Sequence, residues 1–109
     1  MNEIEKFGLK QKDLIQIATV FNRFQDLDRV IIYGSRAKGT YKPYSDIDIT
    51  LLGGKLNLTL QQRIENELDD LLLPYKFDVS IMNDISNADL IDHINRVGKI
   101  FYERSSASH

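Results

Sequence analysis

The chain is 109 residues long and sets 14 Lys and Arg against 16 Asp and Glu, a net charge of −2, with two His and no Cys. That length fits one compact domain with a modest core, and a composition of 42% hydrophobic and 28% charged residues argues against disorder. The charge balance excludes a broad cationic surface for extended nucleic acid, while the missing cysteines exclude a disulfide framework, a thiolate nucleophile and any Cys-ligated metal centre.

No run of 18 apolar residues occurs and the first thirty residues hold no apolar leader core, so a cytoplasmic protein is expected. Leu14, Ile17, Ala18 and Phe21 recur at helical spacing and predict an amphipathic helix over 11–24. Val30-Ile31-Ile32-Tyr33 is a β-branched apolar run that predicts a buried strand, stopped by Gly34-Ser35. Residues 39–45 are turn-forming, with Pro43 discouraging helix. From 46 to 52, Ile47, Ile49 and Leu51 alternate with Asp46, Asp48 and Thr50, a second strand with one polar face, ended by Gly53-Gly54. Leu60, Ile64, Leu68 and Leu71 predict a second long helix running up to Pro74.

Phe77, Val79 and Ile81 alternate with Asp78 and Ser80 as a third strand. Ser86 and Asp89 have capping-box spacing ahead of Leu90, Ile91, Ile94 and Val97, with Gly98 as the helix stop. Residues 99–102 read as a last short strand and 105–109 as a disordered tail, leaving one domain over 1–104. Helices interleaved with three or four strands make an α/β (α+β) domain. The connection from Tyr33 to Asp46 leaves little room for a full crossover helix, which favours antiparallel pairing there, so a small mixed, largely antiparallel sheet is expected, with helices packed on it.

Three features bear on chemistry. Gly34-Ser35 follows a buried strand directly, where the backbone can turn sharply and aim amides at a phosphate, or merely turn. Asp46 and Asp48 sit at i and i+2 of a strand, sharing a face with Cα atoms about 6.6–7 Å apart, a spacing that suits one or two hard divalent cations. The same pattern at Asp26-Leu27-Asp28 falls at a helix end and reads as loop, so Asp-x-Asp alone decides nothing. Asp78, on the next strand, brings a third carboxylate if the two strands are neighbours. A bound cation is the usual way such a cluster is made tolerable. Arg36, directly after the turn, is the best basic candidate for a phosphate contact. Lys38 and Lys42 read as solvated charge, Tyr33 as core, Tyr41 and Tyr44 as loop packing, and His93 and His109 as surface residues.

Gly34-Ser35-Arg36-Ala37-Lys38-Gly39 followed by Ser45-Asp46-Ile47-Asp48-Ile49 resembles the signature of the DNA polymerase beta-like nucleotidyltransferase superfamily. The Gly-Ser-Arg-Ala form and the length are similar to its minimal nucleotidyltransferases, which are paired with HEPN-domain proteins in prokaryotes; Lys38 stands where many relatives carry Arg. The resemblance implies that Asp46 and Asp48 ligate two magnesium ions (manganese being an alternative), with Asp78 completing the site of the ion that activates the attacking hydroxyl. It implies that Gly34 and Ser35 bind the β- and γ-phosphates of a nucleoside triphosphate. The implied reaction is in-line attack of an acceptor hydroxyl on the α-phosphorus with release of pyrophosphate. By the same resemblance AMP passes from ATP to a tyrosine of a HEPN toxin, the chain serves as antitoxin, and activity needs the partner chain. Two other readings stay open: a binding module that neutralises its partner without turnover, and transfer to a small molecule, as in antibiotic-modifying relatives.

Overall fold

A computed structural model describes residues 5–104; the tail expected over 105–109, His109 included, lies outside the described residues. The elements run β1 (Glu5–Lys6), β2 (Leu9–Lys10), α1 (Gln11–Asn22), β3 (Arg29–Tyr33), α2 (Gly34–Lys38), β4 (Ile47–Leu52), α3 (Leu58–Asp69), β5 (Phe77–Ile81), a single 3-10 turn (Met82–Asp84), α4 (Ala88–Val97) and β6 (Lys99–Glu103). Apolar periodicity outlasts helical hydrogen bonding at α1 and α3. Phe24 is buried in a tight turn after α1, and Leu71 packs on the core from the turn after α3. Asn57 caps α3 by accepting from the Leu60 N–H at 2.9 Å. At α4 the cap is Asn87, which accepts from the Leu90 N–H at 3.1 Å, and not Ser86 as the capping-box spacing suggested. An amide oxygen one residue later meets the same orphan donors.

Four strands form a sheet in the order β5-β4-β3-β6, with β3 antiparallel to both β4 and β6. The short Tyr33-to-Asp46 connection therefore makes an antiparallel pair, the arrangement its length favours. β4 and β5 are parallel, which the intervening α3 permits as a crossover. Register places Ile32 opposite Ile49 and Val30 opposite Leu51, and sets Ile49 beside Val79 and Leu51 beside Ile81. These residues form one apolar face, which packs with Ile17, Val20 and Phe21 of α1 and Ile64 and Leu68 of α3 in the buried core. The opposite face holds Ile31, Tyr33, Asp48, Thr50, Asp78 and Ser80. α4 lies against its β3 side. Gly98 ends α4 with an ordinary φ of −62°, and a glycine is needed there for space: a Cβ would strike the Ile94 carbonyl and the Ile31 side chain.

The hairpin of β1 and β2 is absent from the expectations. Its strands are two residues each, joined through Phe7 and Gly8 with φ of 57° and 77°, too short to show an alternation. Leu9 nonetheless anchors it fully in the core.

Candidate active site

The polar sheet face concentrates acid at one end. Parallel pairing sets Asp48 directly beside Asp78, and antiparallel pairing sets Asp48 opposite Tyr33. Asp46 stands just ahead of β4, whose first residue Ile47 is tied by its N–H to the Lys76 carbonyl at 2.8 Å. Asp46 and Asp78 are exposed and Asp48 is half-buried. Burial raises the pKa of Asp48, and the charges of Asp78 and Asp46 raise it further, against the weaker pull of Arg36. The Tyr33 hydroxyl is pushed up by burial and by the Asp78 and Asp48 charges, against a hydrogen bond with Ser80. Three carboxylates thus share one electrostatic environment, and the most enclosed of them bears the strain.

Gly34 closes this face from the β3 side. Its φ is +72°, a conformation that a side chain resists. A Cβ there would land on the Asp48 carboxylate oxygen Oδ2. Both constraints act together, so Gly34→Ala is expected to cost about 1–3 kcal/mol in stability and to displace Asp48, measured as a lowered Tm together with lost activity. From Gly34 the chain enters α2, and Tyr33 in the capping position supplies no side-chain acceptor. The first-turn amides of Ser35 and Arg36 accordingly have no acceptor within the helix, and they sit beside the acid face with the half-buried Ser35 hydroxyl.

Two residues stand apart from their sequence expectations. Arg36 was expected to reach a phosphate; instead its side chain is 2% exposed. Its guanidinium donates to the carbonyls of Ser45 (3.1 and 2.9 Å), Phe7 (2.9 Å) and Pro43 (3.4 Å), between the rings of Tyr41 and Tyr75. Burial lowers its pKa, opposed by those two tyrosines and by Asp48. The correction has a simple cause. A planar five-donor fork can satisfy three carbonyls at once, and here it fastens the loop that delivers Asp46 to the β1–β2 turn. His93, expected at the surface, turns inward from α4: its Nε2 accepts the Gly34 N–H at 3.1 Å and its ring meets Tyr33 edge-on. The only sequence signal for it was its spacing within α4, one residue before the buried Ile94.

Hard oxygen donors on one face, mutually repelling and partly desolvated, are the donor chemistry of a divalent-cation site. No three His, Asp or Glu groups among the described residues are drawn together tightly enough to enclose an ion. Magnesium is ordinarily held by one or two carboxylates together with substrate phosphates and water, so the donor set fits it.

A family model described as Polymerase beta, Nucleotidyltransferase matches residues 15–107. The chain belongs to this nucleotidyltransferase family. The nucleotidyltransferase is 25% identical over 80 residues to the probable protein adenylyltransferase MntA of Haemophilus influenzae, covering 72% of this chain and 70% of that one. Its fold is that of a toxin-antitoxin crystal structure with AMP-PNP (TM-score 0.65, 21% identity, 87% of this chain and 74% of the other). The same holds for the tri-AMPylated Shewanella oneidensis HEPN toxin in complex with MNT antitoxin (TM-score 0.64, 19% identity, 86% and 72%) and for an MntA-HepT complex (TM-score 0.63, 19% identity, 86% and 73%). Among the described residues of the nucleotidyltransferase, no helix is long and apolar enough to cross a membrane.

Proposed function

We propose that this nucleotidyltransferase transfers AMP from ATP to a hydroxyl of a HEPN-type partner protein in the cytoplasm, and so acts as the antitoxin of the pair. The observation that supports the reading is the pairing of Asp48 with Asp78 in the sheet, with Asp46 two residues ahead of Asp48, beside the Gly34-Ser35 turn. Similarity to MntA and the AMPylated toxin in a complex of the same fold support the acceptor class.

In the proposed reaction the acceptor hydroxyl gives up its proton to solvent, its oxygen bonds to the α-phosphorus as the bond to the bridging oxygen breaks, and pyrophosphate departs. Ser35, through its hydroxyl and amide, and the Arg36 amide hold the terminal phosphates; Gly34 allows the chain to approach that closely. Asp46, Asp48 and Asp78 would hold two magnesium ions, or manganese. When bound, these ions neutralise charge on the triphosphate and lower the pKa of the attacking hydroxyl. Asp48, the most desolvated of the acids, gains most from a neighbouring positive charge. The exposed flanks of Asp46 and Asp78 leave the acceptor side open, so the partner's surface completes the site.

Incubation of the partner with ATP, magnesium and this protein is expected to raise the partner's intact mass by one or more AMP units. Absence of any gain sinks the proposal. A double variant, Asp46→Asn with Asp48→Asn, that still neutralises the toxin fully would assign the biology to binding alone.

A further inference from the structure

We infer that His93 is a positioning residue for the triphosphate turn, an inference that rests on the proposed nucleotidyl transfer. Gly34 is the first residue of α2, and its amide is one of the orphan donors of that helix end. The family resemblance implies a phosphate contact at Gly34 without naming the atom. The structure gives the Gly34 N–H to His93, whose Nε2 accepts it at 3.1 Å from a helix 59 residues further along the chain. Because an amide can only donate, Nε2 carries the lone pair and the ring proton sits on Nδ1. The imidazole is fixed from a second side by its edge-on packing with Tyr33, at 6.0 Å between ring centroids and 81° between planes.

This contact matters because of what Gly34 touches. Its Cα backs the Asp48 carboxylate, with no room for a Cβ between them. Its φ of +72° is a conformation that the backbone leaves readily unless it is tied. The bond from His93 is the tie. It holds the β3–α2 corner in its left-handed geometry, from which the uncapped first-turn amides of Ser35 and Arg36 follow directly. It also divides the labour among the amides: Gly34 is a structural donor, while Ser35 and Arg36 remain for the phosphates. His93 does not reach substrate. It acts through the turn, so its loss is felt as weaker triphosphate binding more than as slower chemistry.

The test uses the full-length protein with its HEPN partner and three variants. In His93→Ala the KM for ATP is expected to rise about five- to tenfold, the equivalent of one lost hydrogen bond, with kcat held within about twofold. His93→Gln, whose side-chain oxygen can occupy the place of Nε2, is expected to recover most of the KM. Arg96→Ala, on the exposed side of the same helix in a pair with Asp92, serves as the control for simple weakening of α4. An independent readout is hydrogen exchange of the Gly34 amide, expected to be protected in the wild type and Gln variant and unprotected in the Ala variant. Unchanged Gly34 exchange in His93→Ala overturns the inference. So does a fall in kcat at constant KM, or an equal effect in Arg96→Ala. If the wild type transfers no AMP, the functional reading falls; exchange at Gly34 and titration with magnesium-ATP then decide the role of His93 separately.

Discussion

Asp48→Asn is expected to lower the rate of nucleotidyl transfer by about 10³-fold or more, equivalent to about 4 kcal/mol of transition-state stabilisation, while making the fold more stable at neutral pH. The two effects share a cause. Asp48 lies between Tyr33 and Asp78 in the sheet register, partly desolvated and facing two other acids, so its pKa is raised above the ordinary 3.8. A carboxyl whose folded pKa is raised favours the folded state fully only below the unfolded value, and that contribution is lost as pH rises through the folded one. At pH 7 the ionised Asp48 therefore opposes folding, and an amide of the same shape removes the opposition.

The variant should melt at a higher temperature than the wild type at pH 7, with the gap closing as pH falls toward 3.8 and below. Intact-mass assays of the partner and melting curves across pH check the two halves. A variant that transfers AMP normally would remove Asp48 from the chemistry. A variant less stable than wild type at pH 7 would show that the carboxylate is held by favourable contacts, contrary to its surroundings.

Arg36→Ala is expected to destabilise the fold by about 3 kcal/mol or more, because buried hydrogen bonds from a charged donor are worth about 1.5–3 kcal/mol. For a domain of this size, that loss lowers Tm by more than about 10 °C. The guanidinium is nearly sealed, donates to three carbonyls and sits between two aromatic rings. Truncation leaves the Phe7, Pro43 and Ser45 carbonyls competing for water in a closed space, and lets the β1–β2 turn separate from the loop that leads into Asp46. Arg36→Lys should recover little, since one ammonium cannot span the fork of acceptors. Thermal melting measures the effect. An Arg36→Ala protein with wild-type Tm and a large loss of ATP affinity would instead place the guanidinium on the triphosphate.

Arg36 and His93 also mark where sequence reasoning stopped. Arg36 lies inside the recognised motif and His93 far from it in the chain, but for both, periodicity carries no information on whether a polar side chain turns out to solvent or in to a backbone group. For Arg36 the deciding partners are carbonyls at Phe7, Pro43 and Ser45, two of them on a loop and one on a hairpin too short to have a pattern. For His93 the partner is an amide 59 residues away. The α4 cap at Asn87 rather than Ser86 is a smaller case: a shift of one residue is decided by local backbone geometry, not by residue type.

The sequence by itself determined the four strands of the main sheet and the long helices, because burial of alternating or helically spaced apolar residues is a local pattern that packing then rewards. It favoured the antiparallel turn from Tyr33 to Asp46 through connection length alone. It also placed Asp46 and Asp48 on one face, since the pleat repeats every two residues. Only the tertiary structure decided that β5 lies beside β4 in the register that pairs Asp78 with Asp48, that Gly34 backs the Asp48 carboxylate, and that the basic residue of the motif is a fastener. Those are contacts between separate segments of the chain, and their energies arise only when the sheet and its connecting loops have assembled.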